Sequence, residues 1–375
     1  MGATIKHIHD DFAFVVLSKL PLKSLIRFCC VRKSWSDLFD NTYFMNMFRK
    51  NFLLKNHSHY NDTSLLLRFD ESWIADNPCK SGMYSLSGER YENMIQLDLP
   101  DLLRGEWSFQ ILGSTSINGF LFIDCKQSGK VVLWNPNTNE YKVIPPSPFS
   151  IKFTTVYHGI YGFGYDSVRN NYKVIRQVEL FNYNEERSSF WEIYCLKTNT
   201  WKTVDIDMPI YYQDNAEVHL YKDEKCHWLA KCKTYGRDSE THNKVYLLSF
   251  NMSDEMFVTT SIPSDVEDDV DYRYLAMLSE SIALISVYAE TTSFHISILS
   301  EVGRNESWTK LFILKSLSCI GRPIGVSKNC DIFFIKEDGE LAWINLSTEK
   351  IENLGLNGAF NCKVINHKKS LVKGN

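Results

Sequence analysis

Apolar residues recur along this chain at two different intervals, and the change from one to the other near residue 60 divides it in two. Up to about residue 50 they fall three and four apart, the spacing that lines one face of a helix. Asp10 and Asp11 are placed to cap a first helix and favour its positive end, with Phe12, Val15, Val16 and Leu20 as its apolar stripe. Pro21 suits the first turn of a second helix, where a missing amide hydrogen has no partner to lose. Leu22, Leu25, Ile26 and Cys29 form that helix's stripe. A third helix carries Val31, Trp35, Leu38 and Phe39, and residues 43–48 read as a fourth short turn.

Beyond residue 60 the apolar positions alternate in short runs separated by polar turns. One unit recurs: an apolar strand, a polar turn, then an aromatic or large apolar residue that opens the next strand. It appears in MYSLSGERY, VVLWNPNTNEY, WEIYCLKTNTW, VYLLSFNMSDEMF, ISILSEVGRNESW and LAWINLSTEKI. The opening residues Tyr91, Tyr141, Trp201, Phe257, Trp308 and Ile351 stand 43 to 60 residues apart, near the kelch blade length of roughly 50. A second signature, a small or turn residue before an apolar strand, lies between these units in INGFLFID, KCHWLAK, ESIALISVY and NCDIFFIK. Two hairpins per period make a four-stranded blade, and radial repetition protects strand edges. The pattern predicts an α+β, multidomain chain: a small helical unit followed by an all-β propeller of about six blades. The opening aromatics are expected to pack between blades.

Composition supports this division. Aromatic residues make up 14% of the 375 residues, and such side chains favour pleated, half-buried surfaces. The net charge of −4 is unevenly placed. Residues 1–50 hold Lys6, Lys19, Lys23, Arg27, Arg32, Lys33, Arg49 and Lys50 against Asp10, Asp11, Asp37 and Asp40, so they carry +4 and the remainder −8. Neither excess is dense enough for nucleic acid as a main ligand. No run is long and apolar enough for a membrane span, and the first twelve residues lack the apolar segment of a secretory signal. Ten cysteines without a clean C-x-x-C pair read as reduced thiols, which places the chain in the cytoplasm or nucleus.

The first fifty residues hold more apolar side chains than three short helices can bury among themselves, because so small a unit covers at best roughly 60% of its unfolded surface. Either the propeller or another protein must cover the surplus. The run from Ile8 to Phe48, with LSKLPLKSLIRFCCVRKSWSDLF at its centre, resembles an F-box of the plant type. LWNPNTNEYKVIPP, YGFGYDSVRNNYKVI, YCLKTNTWKTV, CHWLA and ESWTKLF resemble the recurring blocks of the plant F-box-associated propeller family of type one, a subset of which sits at the self-incompatibility locus.

The resemblance implies a three-helix F-box over residues 4–48, a connector over 49–62, the propeller over 63–366 and a polar tail over 367–375. It implies that the helices dock on a Skp-type adaptor and, through it, on a cullin, so that the chain selects targets for an SCF-type ubiquitin ligase. The residues carried over for adaptor contact are Ile8, Leu17, Leu20, Pro21, Leu25, Val31 and Trp35. Lys23, Arg27, Arg32 and Lys33 are expected to complement an acidic adaptor surface. One position departs from the family, which has leucine-proline where this chain has Ile8-His9. That departure leaves a second reading open, a non-degradative propeller scaffold with a weakened F-box.

No constellation of catalytic side chains stands at a recognisable spacing. Gly162-Phe-Gly164 opens no helix and so lacks the amide cradle of a phosphate site. Cys226, His227 and Cys232 have poor spacing for zinc. The expectation is therefore a non-enzyme with no cofactor and no metal, in which ubiquitin transfer belongs to other subunits. Contact with a protein target is expected from loops, namely residues 179–190, 208–217 and 264–272. Tyr211, Tyr212, Asp214, Glu267, Asp268 and Asp269 are the candidate residues there.

Overall fold

The computed structural model describes residues 10–31, 33–54, 63–70, 81–106, 109–125, 127–149, 156–181, 187–204, 210–211, 220–235, 241–263, 270, 272–288, 290–304, 307–315, 321–358 and 362–368. Four helices lead: α1 (Asp10–Leu17), α2 (Leu22–Cys29), α3 (Lys33–Ser36), continued by a 3-10 turn over Asp37–Phe39, and α4 (Thr42–Leu54). Pro21 is the N-cap of α2 rather than a residue of its first turn, and its carbonyl accepts the Leu25 amide at 3.0 Å.

The largest departure from expectation is α4. Residues 43–48 are part of a 13-residue helix that runs through Arg49–Leu54 of the expected connector. Its start is fixed by Asn41, whose side-chain oxygen accepts the Phe44 amide at 2.9 Å. Its length follows from Phe44, Phe48 and Phe52, which stand four apart and are all buried. Only a helix that continues to Phe52 carries this stripe from the bundle onto the strands.

The strands form antiparallel sheets. β1 (Thr63–Asp70), β2 (Ser81–Ser87) and β3 (Asn93–Gln96) begin one. β4 (Phe109–Ile117), β5 (Phe120–Cys125), β6 (Lys130–Asn135) and β7 (Glu140–Ile144) make the next, followed by β8 (Val156–Asp166), β9 (Asn171–Phe181), β10 (Arg187–Cys195) and β11 (Thr200–Val204). A five-stranded sheet holds β12 (Ile210–Tyr211), β13 (Leu220–Lys222), β14 (Lys225–Tyr235), β15 (Thr241–Asn251) and β16 (Phe257–Ser261). Two four-stranded sheets follow: β17 (Tyr272–Leu278), β18 (Ser281–Tyr288), β19 (Ser293–Leu299) and β20 (Trp308–Leu314), then β21 (Pro323–Val326), β22 (Asp331–Ile335), β23 (Glu340–Asn345) and β24 (Ile351–Asn357). Finally β25 (Lys363–Lys368) returns beside β1, and a single parallel pair, Asn366 with Thr115, links it to β4. Residues 367 and 368, expected in the tail, are thus sheet residues, held because they pair with Ser64 and Thr63.

Both sequence signatures have a backbone cause. Asn118-Gly119, Asp223-Glu224 and Ser279-Glu280 each have two successive positive φ angles between paired strands. These are the two-residue hairpin turns whose twist matches that of the strands. In the other unit Asn139, Asn199, Glu255 and Glu349 take positive φ two residues before Tyr141, Trp201, Phe257 and Ile351. The opening residues then reach the preceding sheet in four cases. The Trp201 indole donates to the Pro145 carbonyl at 2.8 Å, and that of Trp308 to Ser261 at 2.9 Å. Phe257 lies 4.7 Å from Trp191, and the Tyr91 hydroxyl donates to Asp331 at 2.5 Å. Tyr141 and Ile351 instead stay 50% and 41% exposed.

At the seam between the β17–β20 and β21–β24 sheets, where Ile351 turns outward, α4 supplies the filling. Phe52 lies 6.5 Å from Phe312 of β20, and the rings of Phe44, Phe48 and Phe52 follow one another at 6.3 Å. Leu17, Leu22, Leu25 and Leu38 of the helical unit share one buried cluster with Tyr274, Ile285, Val326, Ile332 and Phe334 of the strands. The Ser279 hydroxyl donates to the Phe52 carbonyl at 2.8 Å, satisfying a group at the open end of α4, and the Arg49 guanidinium donates to the Leu311 carbonyl.

Buried charge joins the β8–β11 and β12–β16 sheets. Lys173 sits 2.7 Å from Asp166 and 2.9 Å from Glu255. Burial alone would raise the Asp166 carboxyl. Hydrogen bonds from Lys173, Arg169 and Ser253 outweigh it and hold the group far below the usual carboxylate range.

Two expectations follow. Phe48→Ala should lower stability by about 3 to 5 kcal/mol, and Ile351→Ala by less than about 1 kcal/mol, as read from urea midpoints; equal effects would contradict the seam assignment. Because the folded Asp166 is the more acidic, the unfolded state takes its proton first. The contribution of Asp166 is complete above the unfolded value of about 3.9 and is lost as pH falls through and below it. Asp166→Asn should therefore lose less stability than the wild-type chain between neutral pH and roughly pH 2.5, and parallel pH profiles would refute this.

Candidate docking face

Helix α1 is apolar on two sides, and only one of them is covered. Ala13 and Leu17 are buried and Phe14 packs against the shared core, its ring 4.9 Å from Phe44. Phe12, Val15 and Val16, three of the four residues of the expected apolar stripe, face outward at 66%, 44% and 43% exposure. The reason is geometric: positions 13, 14 and 17 form an equally good stripe, and the Asn51 amide holds it inward by donating to the Ser18 hydroxyl at 2.9 Å.

Helix α2 shows the same division. Leu22 and Leu25 are buried, Ile26 and Cys29 pack against the core, and Phe28 is 41% exposed. Phe28 meets Trp35 edge to face at 6.0 Å, and the Cys29 thiol donates to the Trp35 carbonyl at 3.1 Å. Burial, with Cys30 adding to it, pushes the Cys29 thiol up, which keeps it protonated. Val31, just past the helix, is 73% exposed. Phe12, Val15, Val16, Phe28 and Val31 thus give the leading helices an uncovered apolar exterior.

The residues carried over for adaptor contact divide between the two faces. Val31 and Pro21 are exposed, Leu20 and Trp35 are half-buried against the core, and Leu17 and Leu25 are sealed inside it. Leu17 and Leu25 therefore hold the helices together and shape the exterior from beneath, a correction that follows from the reach of α4. Ile8 lies outside the described residues. Phe12, Val15, Val16 and Phe28 were legible only as apolar positions; the double stripe of α1 was the signal that one set had no internal partner.

Lys23 and Arg27 do not simply face outward. Their side chains approach Glu301, in the β19–β20 turn, at 3.1 and 3.9 Å. A cleft of about 980 Å³ runs beside α4, bordered by Arg49, Leu53, Phe312, Trp343 and Asn345, so the helix fills only the inner part of its seam.

Consecutive strands are antiparallel, so their turns fall into two sets at opposite ends. The helices dock at the end that carries the β17–β18, β19–β20 and β21–β22 turns, through Ser279, Glu301 and the cleft beside Asn329. The strand ends flanking the three candidate target loops, Phe181 with Arg187, Val204 with Leu220, and Ser261 with Tyr272, lie at the other end. Tyr211 is in β12, where its backbone pairs with Lys231. Tyr212, Asp214, Glu267, Asp268 and Asp269 lie outside the described residues.

Residues 82–370 match the family model described as the F-box associated beta propeller domain. Among relatives, the chain is similar to two Arabidopsis thaliana proteins with provisional F-box names. At3g21120 is 25% identical over 70% of this chain and 67% of its own length; At3g17490 is 23% identical over 88% of this chain and 80% of its own. F-box only protein 8 of the same plant is 24% identical over 70% of this chain and 82% of its own. With helices ahead of sheets that the domain model covers from β2 through the last strand, the chain belongs to the plant F-box proteins that carry an F-box associated beta propeller domain.

Proposed function

We propose that this chain is the substrate-recognition subunit of an SCF-type cullin ubiquitin ligase, working in the cytoplasm or nucleus. The carrying observation is the outward apolar face of α1 and α2, which the chain's own strands leave uncovered while they cover the inward one. A Skp-type adaptor, bridging to a cullin, is the partner for that face. The sheets are read as a six-bladed propeller in which β25 completes the blade of β1–β3 as its innermost strand. The end of the propeller away from the helices receives the target protein, and transfer of ubiquitin is the work of other subunits.

Mechanistically the chain contributes position. Because α4 is packed into a blade seam, the leading helices are joined to the sheets through one shared core. A target held at the far end then stands at a set distance from the transferring subunits. This converts an encounter in solution into one between groups already held near each other.

Deleting residues 1–48 is a poor test, since it also removes Phe44 and Phe48 from the shared core. Point substitution separates the roles. Phe12→Ala combined with Val31→Ala should weaken capture of purified adaptor at least tenfold, as expected of central apolar contacts worth more than about 1 kcal/mol each, with little change in melting temperature. Leu25→Ala should instead lower stability by about 2 to 5 kcal/mol. Wild-type adaptor affinity in the Phe12/Val31 double variant, measured by calorimetry, would overturn the proposal.

A further inference from the structure

Three cations gather on one carboxylate where the helical unit meets the propeller. Lys23 of α2 lies 3.1 Å from Glu301, Arg27 of α2 lies 3.9 Å from it, and Arg304, in the same turn as Glu301, approaches its other oxygen at 3.7 Å. Among the described residues Glu301 is the carboxylate partner of all three. Three positive charges against one negative leave the cluster at +2. Lys23, Arg27 and Arg304 are 45%, 63% and 61% exposed, so the surplus faces solvent.

Ion pairs this exposed contribute little to holding a fold together. The seam beneath is already fixed by Phe52 on Phe312 and by Ser279 on the Phe52 carbonyl. The cluster also adjoins the uncovered apolar exterior. Arg27 precedes the exposed Phe28 in α2, and Val31 stands one helical turn further along. Arg304 brings a propeller residue to the same patch as the α2 cations. The two units therefore present one basic surface beside one apolar surface, and charge beside an apolar contact acts mainly by steering an oppositely charged partner into register.

We propose that the adaptor-docking surface is composite: the β19–β20 turn of the propeller joins α2 through Arg304, and Lys23, Arg27 and Arg304 together receive an acidic segment of the adaptor whose apolar part covers Phe28 and Val31. This rests on the reading of the chain as an adaptor-binding F-box protein. Glu301 gathers the cations and is also the group that attenuates them.

The test is the rate of association of the full chain with purified Skp-type adaptor at low and high salt. Arg304→Glu should slow association about 3- to 10-fold at low ionic strength, with the difference shrinking towards none in high salt and the dissociation rate changing less than about twofold. Glu301→Gln, which frees the same cations, should change the rate in the opposite direction. Arg90→Glu, at an exposed cation of the β2–β3 turn that pairs with Glu352 of β24, should leave it unchanged. If Arg304→Glu and Glu301→Gln both associate at the wild-type rate in low salt while Phe28→Ala still weakens binding, the propeller has no part in docking and the inference is overturned, with the F-box reading intact. If the wild-type chain itself fails to bind adaptor, both fall together.

Discussion

The packing of α4 into the seam beside β20 is the constraint on which the rest of the structure depends. Phe44, Phe48 and Phe52 form a ladder that starts among the leading helices and ends on Phe312. A unit of fifty residues has too little interior to stand well alone, and this one completes its core with residues from two sheets. The seam gains in return, for Ile351 faces solvent where other opening residues cross to the neighbouring sheet. Neither side is finished without the other.

That constraint decides which apolar residues remain for a partner. Once α4 has fixed the inward side of the bundle, α1 must place Ala13, Phe14 and Leu17 against it, and Phe12, Val15 and Val16 turn outward as a result of helical geometry. The same fixing sets α2 so that Leu22 and Leu25 point in and Phe28 points out. An exterior built on side chains that are themselves locked in a core is rigid, and rigidity lowers the ordering cost of binding. The departure at Ile8-His9 concerns the approach to α1, whereas the exterior rests on residues from Phe12 onward.

Much of this was legible in the chain. The alternating runs gave the strands because each turn type leaves a residue signature: Asn118-Gly119 satisfies two positive φ angles cheaply, and Asn139 and Asn199 one each. The opening aromatics gave the contacts between sheets because their rings are large enough to reach across, as with Trp201 and Pro145. What the spacing concealed was direction. Phe12, Val15 and Val16 have helical periodicity, and so do Ala13, Phe14 and Leu17; periodicity identifies a face without saying what lies against it. The reach of α4 was hidden for a related reason. Phe52 falls in a polar stretch, RKNFLLKN, and its burial depends on Phe312, which is 260 residues away in the sequence. Lys23 and Arg27 read only as cations for an acidic partner because Glu301, more than 270 residues further along the chain, is equally remote.

Chain order and spatial order differ where the last strand returns beside the first. The chain leaves α4 at the propeller end where β1 begins, and β25 finishes at that same end because it pairs antiparallel with β1, Thr63 opposite Lys368. Closing the ring with the last strand beside the first makes that sheet depend on both ends of the domain. Tyr91 on Asp331 then ties that sheet to the last one, whose own seam α4 fills. Helices, closure and seam thus lie in one sector of the ring. The strand ends facing the candidate target loops belong to the opposite end, so change in those loops can proceed without touching the contacts that hold the helices in place.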